Sequence, residues 1–256
     1  MSQTYTWPPA SINVTIDELP LGFLAKYVMR TDYMLIFVAL YVGLVHYLQP
    51  PPSKAGTSRI EAKRNGLKVD VKPNSKLFTL FILAHNIFLA LYSMYSFYNS
   101  FSIYLNTLRS EGLSAAYCDS NYTTWNSGMF QLAYIFYLSK YYEVVDTAII
   151  LLKGRRSSTL QTYHHAGAIM CMFLGVYYVP SAIFYFVVVN SFIHSIMYSY
   201  YALSSLGFHP PGKKYLTSLQ ITQFLLGFIY APYTIFKPNC SNSAKVLLKN
   251  LSNLFI

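Results

Sequence analysis

Apolar and polar positions divide this chain into six long apolar blocks separated by polar loops, at roughly 33–48, 77–98, 130–152, 165–179, 182–203 and 216–235. Several approach the ~20 residues that a helix needs to cross a hydrocarbon core, and the fourth is shorter. Pro50-Pro51-Pro52, Pro180 and Pro210-Pro211 fall at block ends, where a missing N–H and a ring clash stop a helix. There is no internal repeat and no low-complexity tract. The pattern predicts an all-α membrane protein, a single multi-pass domain over residues 1–256. Six transmembrane helices are expected from it, and a seventh span is not visible. The tail from Lys245 to Ile256 is weakly apolar and too short to cross comfortably.

Composition agrees with the pattern. Hydrophobic residues make up 54% and charged residues 11%, against about 25% charged in soluble domains. The net charge of +10 would suggest nucleic acid in a soluble protein. Here the basic residues lie between apolar blocks, which argues against nucleic acid and for membrane orientation. Lys54, Arg59, Lys63, Arg64, Lys68, Lys72 and Lys76 follow block one, Lys153, Arg155 and Arg156 follow block three, and Lys213 and Lys214 follow block five. The internal loops on the other side offer only Arg109. The positive-inside rule then puts the three rich loops in the cytosol, with the N-terminus and the loop 99–129 in the lumen. Asn13-Val14-Thr15 and Asn121-Tyr122-Thr123 are glycosylation triplets on that luminal side. The first 30 residues show no basic segment followed by an apolar one, so no cleaved leader is expected.

Charged residues inside a membrane helix point to function. Block three carries Lys140, Glu143 and Asp146, spaced three apart on one stripe. A structural ion pair accounts for the first two equally well, but the third implies a polar interior. Gln161-Thr162-Tyr163-His164-His165 stands where a cytosolic loop enters block four. Asn190, His194, Met197 and Tyr201 share one face of block five, with Tyr198 beside them, and Thr217, Gln220 and Gln223 share one face of block six. A lone helical histidine is more often a satisfied interior residue, and amides between helices often only bind one another. Polar stripes on four blocks together imply a shared cavity opening to the cytosol. A di-iron site is disfavoured, because the chain has six histidines and no HxxxH pair, and no thiolate or carboxylate has zinc-ligand spacing to His164 and His165. Imidazole as base or nucleophile remains. Cys171 is expected to be buried in block four. Cys118 and Cys240 share the oxidising side and are expected to pair. A transporter would also show polar stripes, though without need of a histidine pair at one face; an inactive or regulatory membrane homologue is a further alternative.

The ordered motifs resemble the Elo family of fatty acid elongases. Lys140-Tyr-Tyr-Glu143-Val-Val-Asp146-Thr147 resembles its KxxExxDT, residues 161–165 its HxxHH box with Gln161 in first place, residues 190–201 its NxxxHxxMYxYY and residues 217–223 its TxxQxxQ. His85-Asn86 also resembles a family feature. The resemblance implies six transmembrane helices around a substrate tunnel, with a seventh possible, and makes 236–256 a divergent or shortened tail. It implies condensation of a long-chain acyl-CoA with malonyl-CoA to 3-ketoacyl-CoA, CO2 and CoA in the endoplasmic reticulum membrane. It implies no metal or redox cofactor. Reductases and a dehydratase would complete the cycle, and a homo-oligomer is left open. His164 would be the nucleophile, and His194 would orient malonyl-CoA or stabilise its charge. His165, Lys140, Glu143, Asp146, Gln161, Asn190, Tyr198, Tyr201 and Gln220 would support the site, with Lys153, Arg155 and Arg156 at its mouth. The QxxHH form hints at polyunsaturated substrates.

Overall fold

The computed structural model describes residues 7–50, 75–237 and 240. Lys54, Arg59, Lys63, Arg64, Lys68 and Lys72, and nearly all of the expected tail, lie outside the described residues. Among the described residues the chain is helical, without strands. The longer helices are α1 (Thr31–Leu48), α2 (Lys76–Cys118), α3 (Phe130–Tyr142), α4 (Val144–Leu152), α5 (Thr159–Tyr178), α6 (Ala182–Ser205) and α7 (Lys213–Phe236), with short helical turns at Ile16–Glu18, Gly22–Leu24, Ala25–Val28 and Trp125–Met129.

Six helical columns thus stand where the six apolar blocks were read. By length and apolarity alone, α1, α2 and α6 can each cross a membrane. α3 and α4, with 13 and 9 residues, are each too short to cross alone because the column is broken at Glu143. Serines begin two helices by capping free backbone N–H groups: Ser75 Oγ accepts from Phe78 N at 3.1 Å, and Ser158 Oγ from Gln161 N at 3.1 Å.

Two boundaries differ from the expectation. Block three is not one helix. Its backbone tightens at Glu143, where Asp146 N bonds to Glu143 O in a three-residue step, so α3 and α4 meet at a charged residue. Block two does not end near residue 98. α2 continues through most of the expected loop to Cys118, with an irregular backbone at Gly112, whose φ is +83°. Polar residues there do not end the helix because they bond back to it: Asn99 Nδ2 donates to Tyr95 O at 2.8 Å and Ser102 Oγ to Tyr98 O at 2.7 Å. At ~1.5 Å per residue this helix is about twice as long as a hydrocarbon core is thick.

The apolar core lies at one end of the bundle. Trp125, Phe130, Tyr134, Tyr137, Phe173, Val176, Phe184 and Val187 meet there, and Ile12, Val14 and Leu19 of the N-terminal segment close over them. Trp7 Nε1 donates to Val176 O at 3.1 Å. The α2–α6 pair makes the most extensive helix contact, with Leu89 and Ala90 packed on Met197 and Tyr198. Cys118 is joined to Cys240 by a disulfide. Cys171, expected to be buried, is instead exposed on α5, because its helix turns a different face to the core.

Asp119 fastens the turn after α2. It is buried, in the left-handed region, and its carboxylate accepts from Thr124 N at 2.8 Å and Trp125 N at 3.1 Å. Asp119→Ala removes both bonds and is predicted to destabilise the fold by about 1–2 kcal/mol. Thermal unfolding in detergent should show this as a lowered Tm.

Candidate active site

A cavity of about 710 Å³ lies at the end of the bundle opposite the apolar core. Its walls come from α2 (Thr79, Ile82, Asn86), α4 (Asp146, Ile149), the start of α5 (Gln161, His164, His165), α6 (His194, Met197, Tyr198, Tyr201) and α7 (Gln220). The connections α4–α5 and α6–α7 add Lys153, Arg155 and His209, joined by Lys213 at the start of α7. Four stretches of sequence read separately are therefore brought together.

The charged stripe of block three divides into two branches. Lys140 and Glu143, 1% and 2% exposed, form an ion pair with Nζ 2.7 Å from Oε1. Lys140 Nζ also donates to Asn190 Oδ1 at 3.0 Å and lies 3.9 Å from the Phe136 ring centroid. Asn190 continues to His194 Nε2 at 3.2 Å, and His194 Nδ1 stands 3.7 Å from Glu143 Oε1. None of Lys140, Glu143 and Asn190 lines the cavity; they lie behind His194 and support it. Asp146 serves the second branch. It accepts from Tyr198 OH at 2.6 Å and contacts His85 Nε2 at 3.0 Å, while His85 Nδ1 meets Tyr142 OH at 3.1 Å. The two branches reach α6 one turn apart, at His194 and Tyr198.

The two histidines at the start of α5 differ in their ties. His165 is buried and its Nε2 faces Gln161 Nε2 at 2.8 Å. His164 is half-buried, with ring contacts at 5.4 Å to His165 and 5.1 Å to Phe224. Among the described residues it makes no hydrogen bond, so its ring nitrogens are free to meet a ligand. Gln220 Nε2 donates to Met197 Sδ at 2.9 Å, which ties α7 to α6 at the cavity wall. Tyr201 lines the wall beside Tyr198.

The cationic rim is unevenly placed. Lys153 and Arg155 line the cavity, and burial, then the Arg155 charge, push the Lys153 ammonium below its ordinary value. Among the described residues neither makes an ion pair, and two such cations at one rim suit an anionic ligand. Arg156 does not line the cavity. Its guanidinium donates to Pro50 O at 2.5 Å, fastening the α4–α5 connection to the end of α1. Thr217 is exposed and apart from the cavity, whereas Gln223 of the same motif is buried. Among the described residues no cluster of three His, Cys, Asp or Glu is placed to hold a metal.

Sequence reading gave His85 no role and did not single out Tyr142. A histidine inside an otherwise apolar span was the available signal for the first; a tyrosine in an aromatic-rich chain offers none for the second.

The sequence profile of the ELO (GNS1/SUR4) family matches residues 26–256. The chain belongs to the ELO family. Among characterised relatives of this ELO chain, it is similar to fatty acid elongase sre1 of Dictyostelium discoideum, 36% identical over 160 residues, which is 60% of this chain and 58% of that one. Very long chain fatty acid elongase 5 of Mus musculus is 34% identical over 165 residues, 61% of this chain and 53% of that one. Fatty acid elongase A of Dictyostelium discoideum is 32% identical over 164 residues, 63% and 59% of the two chains. The matches span less than two thirds of each relative's length. No solved structure matches the chain.

Asp146→Ala strands both His85 and Tyr198 and is predicted to cost about 2–4 kcal/mol in stability. Arg156→Ala, which removes an exposed contact, is predicted to cost no more than about 0.5 kcal/mol. Thermal unfolding of the two variants side by side checks the contrast.

Proposed function

We propose that this ELO chain condenses a long-chain acyl-CoA with malonyl-CoA, yielding 3-ketoacyl-CoA, CO2 and CoA. The observation that carries the reading is His164: an imidazole that makes no hydrogen bond among the described residues, lining a cavity with a cationic rim, near a second histidine held by a buried charged network. Relatives named as fatty acid elongases support it.

The chemistry follows from these groups. A neutral His164 ring nitrogen attacks the acyl thioester carbonyl, the C–S bond breaks and CoA leaves as a thiolate. Cleavage of the malonyl C–C bond then releases CO2, and its electron pair forms the enolate of the remaining acetyl thioester. That carbon attacks the acyl-imidazole carbonyl, the C–N bond breaks and His164 is restored. One proton is consumed overall, ending on the CoA sulfur. No redox or metal group enters this scheme. His194 faces the charge that develops on the malonyl thioester, and His165 adjoins His164. Lys153, Arg155 and Lys213 neutralise CoA phosphates at the rim.

The orientation belongs to the same proposal. The rim lies on connections that the positive-inside rule assigns to the cytosol, where CoA thioesters are found, so the N-terminus is luminal and the membrane is that of the endoplasmic reticulum. The product is a 3-ketoacyl thioester, which must next be reduced and dehydrated by other proteins of that membrane. Asn13 and Asn121 are both exposed, and Asn13 N bonds to Asn126 Oδ1 at 2.8 Å, so the two glycosylation triplets share the end away from the cavity. Expressed in eukaryotic microsomes, the chain should carry a glycosidase-sensitive mass that Asn13→Gln with Asn121→Gln removes; wild-type protein without it would count against the orientation.

The reaction is tested with membranes containing this chain, labelled malonyl-CoA and saturated, monounsaturated and polyunsaturated acyl-CoAs. Products two carbons longer, absent with His164→Ala, are expected, and Gln161 is the reason to include polyunsaturated primers. Lys153→Ala with Arg155→Ala should raise KM for acyl-CoA several-fold with little change in kcat, and the effect should shrink at high salt. A folded, membrane-inserted protein that elongates no primer would contradict the proposed activity.

A further inference from the structure

The proton position on His194 follows from its neighbours' donor and acceptor roles. Lys140 Nζ contacts Glu143 Oε1 at 2.7 Å and Asn190 at 3.0 Å. Paired with a carboxylate, the amine is an ammonium, which donates and never accepts. The Asn190 atom facing it must therefore be the carbonyl oxygen, and this removes the usual ambiguity between amide oxygen and nitrogen. The Asn190 NH2 then faces His194 Nε2 at 3.2 Å. An amide nitrogen also only donates, so Nε2 presents its lone pair. A ring protonated at Nε2 would set one N–H against another. His194 is thus neutral, with its single proton on Nδ1. Nδ1 stands 3.7 Å from Glu143 Oε1, beyond hydrogen-bond reach, so among the described residues this N–H makes no hydrogen bond, and the ring itself borders the cavity. Lys140, Glu143, Asn190 and His194 are all at most 4% exposed, so exchange with bulk water does not blur the assignment.

We propose that Lys140, acting through Asn190, is a positioning residue that fixes His194 as the Nδ1–H tautomer. The ring then works as a neutral hydrogen-bond donor toward the malonyl thioester as it gains charge. Its Nε2 lone pair is engaged, which leaves nucleophilic attack to His164. The catalytic part of this inference rests on the condensation reading; the tautomer stands without it.

The test uses the full chain in detergent micelles, labelled with 15N-histidine and with the His194 signals assigned by their loss in His194→Gln. Wild-type protein should show a protonated Nδ1 and an unprotonated Nε2. Asn190→Asp supplies a carboxylate that accepts from Lys140 and from His194 together, and should move the proton to Nε2. Its kcat should fall about a hundredfold, the size of one misplaced proton donor, while KM for acyl-CoA stays within about twofold. Lys140→Met frees the amide to turn and should give both tautomers. Wild-type signals of the Nε2–H form, or a moved proton with unchanged kcat, would overturn the proposal. Wild-type protein that makes no product would instead remove the condensation reading, with the nitrogen signals still deciding the tautomer.

Discussion

A lysine and a glutamate buried together at the break between two helices hold the architecture of the site. Taking two charges out of water is costly, and the cost is met only when their remaining bonds are satisfied. Lys140 satisfies this by bonding Glu143 and Asn190 and by resting over Phe136. Removing one partner of such a pair typically costs about 3–5 kcal/mol, so α3, α4 and α6 are obliged to meet at this point. The position of His194 follows, and with it the floor of the cavity.

The rest of the bundle serves that arrangement from two directions. At the far end, large aromatic side chains and the N-terminal segment pack into a continuous core, which sets where each helix points when it reaches the cavity. At the near end, Asp146 links α2 to α6 through His85 and Tyr198, and Gln220 links α7 to α6. The packed end gives rigidity, and at the polar end His164 makes no hydrogen bond among the described residues. An imidazole held on a fixed helix but not consumed by internal hydrogen bonds suits attack on a thioester. The same ring, tied as His194 is, suits donation.

Much of this was legible in the chain. The apolar blocks located six helical columns because burial in lipid requires long apolar runs, and the polar stripes named Asp146, Gln161, His164, His165, His194, Tyr198, Tyr201 and Gln220 of the cavity wall because polar groups within such runs need a shared interior. What escaped depended on distances between helices. Three charges spaced three apart looked like one stripe, yet the tightening at Glu143 sends Lys140 and Asp146 to different partners. His85 was visible as a polar residue in an apolar block, but its role exists only where α2 meets α4. Arg156 read like its neighbours Lys153 and Arg155, and only the fold shows its side chain spent on Pro50. The end of α2 was misplaced because polarity was read as loop, whereas Asn99 and Ser102 satisfy themselves on their own helix.

The central claim is that His164 takes the acyl group before the malonyl unit is consumed. The most direct measurement is single-turnover CoA release from purified protein given acyl-CoA alone, with mass analysis of the His164 peptide. The account predicts about one CoA per active site without malonyl-CoA, and an acyl mass on His164 that malonyl-CoA then discharges. CoA released only when both substrates are present, with His164 unmodified throughout, would contradict it.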